Sequence, residues 1–332
     1  MNIRIRLDEA RNGTSRPALP VLSFPAVQKL GITVEEMVKS AQLQSDAMAL
    51  IARETPTIAA VSPMDLSVEA EAFGAHVRFS RNEVPAITGQ LVEDMEAVEE
   101  LPIPAPDAKR CALYAEAVRL AKEKIPDKPV LAGMIGPFSL AGRLMDVGEI
   151  MCVCIEEPVT AQALLEKVTT FLLAYGAKLR EAGADGIVLA EPLAGIISPK
   201  MMQTFSKPYV KRLIETLQDE NFGIIYHNCG NAVTHMLKDI FEQGALAYHF
   251  GNAVDMAQVL LAAPKNAICL GNIDPAGEFA NGTPASIRAA TKALLEKCGD
   301  DRRFIISSGC DIPGQSKWEN IEAFFDAVGE YR

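Results

Sequence analysis

The chain has 332 residues, 49% hydrophobic and 23% charged, the make-up of an ordinary globular protein with apolar material for one large core. Its formal net charge of −11 counts against a nucleic-acid surface or an anionic membrane as partner. No apolar stretch reaches the roughly 18 to 20 residues of a membrane span, and Met1-Asn2-Ile3-Arg4-Ile5-Arg6 leads into no signal-peptide core, so a cytoplasmic protein with seven free, unpatterned cysteines is expected.

In chain order, residues 4–10 read as a short helix closing one end of the fold, stopped by Asn12-Gly13. Asn12-Gly13-Thr14 and Asn281-Gly282-Thr283 fit a glycosylation pattern but signify only turns in such a protein. Pro20-Val21-Leu22-Ser23-Phe24 is the first expected strand. One long helix should follow, opened by the capping box Thr33-Val34-Glu35-Glu36 and carrying apolar Val38, Ala41, Ala47, Leu50 and Ile51. Thr57-Ile58-Ala59-Ala60-Val61 reads as a strand leading to Asp65, and the segments flanking Ser80-Arg81-Asn82-Glu83 read as an inserted hairpin. Residues 98–107, with three prolines, predict an extended connector.

A helix over 109–124 precedes the strand Pro129-Val130-Leu131-Ala132-Gly133 and a loop containing Gly136. The apolar stretch 151–155 and the helix 160–182 follow, with Cys152 and Cys154 assigned no chemistry. Gly186-Ile187-Val188-Leu189-Ala190 delivers Glu191, and a helix over 207–219 leads to Gly223-Ile224-Ile225-Tyr226, which delivers His227 and Cys229. Leu246-Ala247-Tyr248 delivers His249, and after a helix over 256–262, Ala267-Ile268-Cys269-Leu270 delivers Asn272 and Asp274. A helix over 284–297 precedes Phe304-Ile305-Ile306-Ser307-Ser308, which delivers Cys310 and Asp311.

Eight strands, near 21, 58, 130, 187, 224, 247, 268 and 305, alternate with helices. No tight hairpin joins the core strands, which predicts a parallel sheet closed as a single-domain (β/α)8 TIM barrel over 1–332, with a small hairpin insertion after strand 2. The open doubly wound alternative lacks a Gly-x-Gly-x-x-Gly after its first strand. In a barrel of this kind chemistry gathers where strands end, and Asp65, Gly136, Glu191, His249, Asn272 and Asp274 are therefore candidate substrate-binding residues.

Residues i and i+2 of an extended segment point the same way, so His227 and Cys229 suit one metal ion, with Cys310 as a third donor. The plain alternative is a core histidine with two small buried thiols. A His-Cys-Cys set suits Zn2+ with one position open for catalysis, and His249 supplies either a fourth ligand or a hydrogen bond. Sulfur-rich coordination favours holding a substrate thiol as its thiolate, which makes alkyl transfer to sulfur the expected reaction.

Met64-Asp65-Leu66-Ser67-Val68-Glu69-Ala70-Glu71-Ala72-Phe73-Gly74, Gly133-Met134-Ile135-Gly136-Pro137-Phe138-Ser139-Leu140-Ala141-Gly142, His227-Asn228-Cys229-Gly230-Asn231, Gly271-Asn272-Ile273-Asp274-Pro275 and Ser308-Gly309-Cys310-Asp311-Ile312-Pro313 together resemble the uroporphyrinogen decarboxylase superfamily. Within it, the resemblance is to the branch of methylcobalamin:coenzyme M methyltransferases and other corrinoid-dependent enzymes. It implies a zinc held by His227, Cys229 and Cys310 that activates a thiol to attack the methyl group of a corrinoid. No Asp-x-His-x-x-Gly motif occurs, so the corrinoid (methylcobalamin) should arrive on a separate corrinoid protein. Coenzyme M-specific members tend to carry an acidic residue near the place of His249-Phe250-Gly251-Asn252. The methyl acceptor is therefore coenzyme M, another thiol or a folate. A uroporphyrinogen decarboxylase-like decarboxylase is the alternative enzyme, but Ser23-Phe24-Pro25-Ala26-Val27 lacks the arginines expected there. A non-catalytic corrinoid- or zinc-binding barrel is the other alternative.

Overall fold

Seven of the eight expected strands are buried and pair in parallel, as their nearly unbroken apolar runs require. The computed structural model describes residues 2–13 and 16–331. Met1 and Thr14, the latter closing the first of the two Asn-Gly-Thr triplets, lie outside them. In chain order the strands are β1 (Ala60–Val61), β2 (His76–Arg78), β3 (Ala86–Thr88), β4 (Val130–Ile135), β5 (Gly186–Ala190), β6 (Gly223–Asn228), β7 (Ala247–Phe250), β8 (Ile268–Ile273) and β9 (Phe304–Ser308). The main sheet runs β1-β4-β5-β6-β7-β8-β9, and β2 pairs antiparallel with β3 as a separate hairpin. With helices in its crossovers the sheet is a curled, TIM-barrel-like α/β fold.

Segment 17–21 spans the two edges. Ala18 bridges Ile306 of β9, the Leu19 N–H donates to the Ile306 carbonyl at 3.0 Å, and the Ile58 N–H donates to the Ala18 carbonyl at 3.1 Å. The strand expected over 20–24 is thus displaced to Ala18 and reduced to a single bridge. Pro17 and Pro20 bracket it, and neither has an N–H to give to a ladder.

Three other expectations change. The single long helix is two, Val34–Val38 and Ala41–Glu54: the Thr33 capping box forms, but Ser40 turns extended and caps a new helix through the Leu43 N–H. Residues 98–100 end the helix Met95–Glu100, so the extended connector begins only at Leu101. The C-terminal helix Trp318–Glu330 was not anticipated; it buries Phe324, Phe325 and Val328.

Alternate residues of the main strands face opposite sides, which divides the core in two. Leu131, Val188, Ile225, Ala247, Leu270 and Ile305 meet inside the curl, where Ile3 and Leu7 of the helix Ile3–Asn12 plug the end at which the strands begin. The intervening residues, such as Ile187, Tyr226 and Ile306, pack outward against the helices. This parity fixes which strand-end side chains point inward.

Candidate metal centre

Two residues beyond Ile225 on β6, His227 remains on the inner face. The chain then turns, and Asn228 holds the turn: its amide donates to the Glu191 carbonyl at 2.9 Å and to the Tyr226 hydroxyl at 3.0 Å, while its Oδ1 accepts the Gly230 N–H at 2.9 Å. Cys229 is thereby kept beside His227. Gly251 is needed opposite, because a Cβ there would lie 2.6 Å from the Cys229 Cα. Cys310 comes from just beyond β9.

One atom each of His227, Cys229 and Cys310 lies within 4.8 Å of the others. The Cys310 Sγ stands 3.6 Å from His227 Nε2. In a tetrahedral site with Zn–S of ~2.3 Å and Zn–N of ~2.0 Å that edge would be about 3.5 Å, so the spacing suits zinc. A hydrogen bond from Cys310 holds the Cys229 thiol down to about 7, and the same bond with burial pushes Cys310 up to about 12. One sulfur is therefore already poised to be a thiolate near neutrality.

The far side of His227 is wired. His227 Nδ1 and His249 Nδ1 are 2.7 Å apart, His249 Nε2 is 2.7 Å from Ser307 Oγ, and that hydroxyl is 2.7 Å from the Leu19 carbonyl. A carbonyl only accepts, so Ser307 donates to Leu19 and accepts from the His249 Nε2–H. His249 Nδ1 is then a bare acceptor, and His227 must donate its Nδ1–H to it. His227 Nε2 is left with its lone pair toward the two sulfurs, the tautomer a metal requires. Burial and the neighbouring His227 hold the His249 pKa well below the ordinary histidine value, which keeps it neutral for this role.

The other sequence-selected residues are engaged elsewhere. Asp65 is buried in an ion pair with Arg110 and accepts from the Tyr114 hydroxyl at 3.0 Å and the Ser67 hydroxyl at 2.5 Å. Glu191 is fully buried and accepts the Phe138 and Ser139 N–H groups at 3.0 and 2.6 Å, capping the helix Pro137–Met145 from below; burial raises its pKa to about 7 against those hydrogen bonds. Gly136 makes room for it, since a Cβ there would sit 2.5 Å from Glu191 Oε2. The Asn272 amide donates to the Gly251 and Val254 carbonyls at 2.8 and 2.6 Å, pinning the loop behind Cys229. Asp274 accepts the Ala276 and Gly277 N–H groups, both at 2.9 Å, at the start of the turn Pro275–Ala280. Of the six candidate substrate residues, His249 is the one whose side chain bonds to a side chain of the donor trio; Glu191 meets it through the backbone, its N–H donating to the His227 carbonyl at 2.9 Å.

Sequence reasoning passed over Ser307 and Arg143. Ser307 is a polar residue on the inward parity of an apolar strand, and Arg143 is a lone charge in an apolar helix. Either signal was readable. Beside the trio opens a pocket of about 320 Å³ lined by Cys229, Gly230, Leu66, Ile135, Arg143 and Leu193, among others.

A parallel α/β sheet with a thiol-rich donor set at its strand ends defines the class of fold and site, and the comparisons define the family. The chain belongs to the family described as Uroporphyrinogen decarboxylase (URO-D), whose model matches residues 16–331. It is 28% identical to the Methylcobamide:CoM methyltransferase MtbA of Methanosarcina acetivorans, over 94% of this chain and 95% of that one. To the protein of the same name from Methanosarcina mazei it is 29% identical, again over 94% and 95%. Among solved structures, a methyltransferase from Methanosarcina mazei superposes with a TM-score of 0.89 at 24% identity, covering 100% of this chain and 99% of that chain, which establishes the shared fold. No helix among the described residues is long and apolar enough to cross a membrane.

Proposed function

We propose that this protein is a zinc-dependent methyltransferase that moves a methyl group between a corrinoid carried on a separate corrinoid protein and a small thiol acceptor, coenzyme M being the acceptor in the names of its relatives. The observation that carries this reading is the convergence of a lone-pair-ready His227 Nε2 with the sulfurs of Cys229 and Cys310 in a chain of this family. The scaffold is read as a single-domain (β/α)8 barrel over 1–332 in which the segment around Ala18 is the first stave and the β2–β3 pair is an insertion.

His227, Cys229 and Cys310 would hold the zinc, which when bound takes the place of the acceptor thiol's proton and keeps its sulfur nucleophilic near neutral pH. His249 and Ser307 hold the imidazole in its ligating tautomer. Asn228 and Asn272 fix the backbone on either side of Cys229. In the transfer an S–CH3 bond forms as the Co–CH3 bond breaks, the electron pair of the latter stays with cobalt, and the thiol proton passes to solvent. The chain has no Asp-x-His-x-x-Gly segment, in keeping with a corrinoid that arrives on a partner. A folate acceptor draws no support from the relatives' names. For the decarboxylase alternative, the segment from Ser23 to Val27 offers no guanidinium.

Zinc-loaded protein mixed with methylcobalamin and 2-mercaptoethanesulfonate should form the methyl thioether and demethylated cobalamin in equal amounts, followed by the cobalamin absorbance and by mass spectrometry. Stoichiometric zinc with no demethylation, whether methylcobalamin is free or protein-bound, would leave the barrel a binding protein and end this reading.

A further inference from the structure

The helix Pro137–Met145 buries eight of its nine residues, and the ninth, Arg143, is half-buried. Its guanidinium makes no ion pair and no hydrogen bond with any described residue. Asp65, whose field reaches it, is already spent on Arg110, Tyr114 and Ser67. Burial lowers the Arg143 pKa from its ordinary value, yet a guanidinium stays protonated in proteins. The fold thus retains a partly desolvated cation with all its donors unspent, an arrangement that costs free energy until an anion arrives.

Arg143 lines the same pocket of about 320 Å³ as Cys229. Most of the wall between them is apolar, from Leu66, Ile135, Pro192, Leu193 and Ile196, and the one hydroxyl there, Ser139, already accepts the Leu193 N–H at 3.1 Å. Sites for small molecules occupy roughly 300–1,000 Å³. This one is too small for a corrinoid and suits a compact molecule with a sulfur at one end, a short apolar spacer and a negative charge at the other.

We propose that Arg143 is the anion-recognition end of the acceptor site: the acceptor is a small thiol whose sulfur lies beside Cys229 and whose sulfonate or carboxylate is held by the Arg143 guanidinium. The assignment rests on the methyltransferase reading for the role of the sulfur, but the anion site can be tested without it. A planar fork of donors meets an oxyanion in two parallel hydrogen bonds, and such charge-assisted bonds separate a charged ligand from its neutral analogue by about 10- to 100-fold.

Two measurements decide it. In the first, KM and kcat of the zinc-loaded protein with methylcobalamin are compared for 2-mercaptoethanesulfonate, 3-mercaptopropionate and the neutral 2-mercaptoethanol. A preference of about 10- to 100-fold, carried by KM, is expected for whichever anion fits. Arg143→Met should erase that preference, and Arg143→Lys should retain part of it. In the second, ethanesulfonate, which has no thiol, is titrated calorimetrically into wild-type protein and both variants, and its affinity should fall in the same order. Wild-type protein that methylates charged and neutral thiols with equal KM overturns the anion site and leaves the methyltransferase reading intact. Ethanesulfonate binding that depends on Arg143, in a protein that methylates no thiol, does the opposite. If Arg143→Met fails to fold, the wild-type preference and Arg143→Lys still decide: a preference that Lys does not weaken overturns the proposal.

Discussion

Two polar clusters stand at the same end of the sheet, and they differ in how their hydrogen-bonding capacity is spent. Around Asp65, donors and acceptors match one another: Arg110 reaches Asp65 and, at 2.5 Å, Glu71, while Ser67 and Tyr114 donate to the same carboxyl group. Around His227, every group on the far side is matched in a directed chain to the Leu19 carbonyl, and the near side ends in a lone pair and two sulfurs facing each other. A saturated cluster holds the fold. An unsaturated one whose supporting groups are saturated is built to take a ligand.

The sharpest way to break this contrast is to exchange the two failures. Cys310→Ala should abolish stoichiometric zinc and, with it, methyl transfer, while far-UV circular dichroism stays unchanged; retained zinc at one per chain would place the metal elsewhere. Arg110→Met should do the reverse, because leaving Asp65 unpaired in the interior costs about 3–5 kcal/mol. The expected result is a large drop in the urea midpoint with zinc affinity intact in the folded fraction, and a zinc defect in that fraction would mean that the clusters are coupled.

His249→Phe keeps a ring in place but removes the acceptor for the His227 Nδ1–H. By analogy with other outer-shell partners, zinc affinity should fall about 10- to 100-fold in a chelator competition. Affinity that does not change would mean that His249 merely fills space.

The last effect is a slope, and its change per pH unit is about tenfold. Both thiols must lose their protons to the metal, and Cys229 starts at about 7 while Cys310 starts at about 12. Zinc affinity should therefore rise with pH, about tenfold per unit above neutrality, where only Cys310 still carries its proton, and more steeply below it. The same competition run from pH 6 to 8.5 measures this, and a flat profile would show that the thiols are not both ligands.

The sequence announces some of this contrast and conceals the rest. Apolar runs near 58, 130, 187, 224, 247, 268 and 305 are strands because a parallel sheet buried on both faces demands them. His227 and Cys229 were legible through their spacing of two beyond such a run. The partner of Asp65 was not, since Arg110 lies 45 residues along the chain on a helix. Nor was the work of His249: only the register that sets it beside His227 and the inward parity of Ser307 turn three separate residues into one chain of hydrogen bonds. Glu191, which by sequence looks like a strand-end functional carboxylate, is a helix cap because two backbone N–H groups from 138 and 139 claim it. The first strand was misplaced because two prolines left the pairing only one short stretch in which to form.

The hydrogen-bond chain behind His227 ends on a backbone atom, the carbonyl of Leu19. It has a polarity: reversing either imidazole would require Ser307 to let go of that carbonyl, so the segment that spans the sheet's open edge also sets the direction of every proton leading to the donor trio. The extreme N-terminal part of the chain is in this sense an outer wall of a centre whose donors all come from beyond residue 226. Ser307→Ala, which cuts the link to that carbonyl and leaves the N-terminal segment in place, should then release His227 to sample its other tautomer, drawing the averaged 15N shifts of its two ring nitrogens together where the intact chain holds them apart.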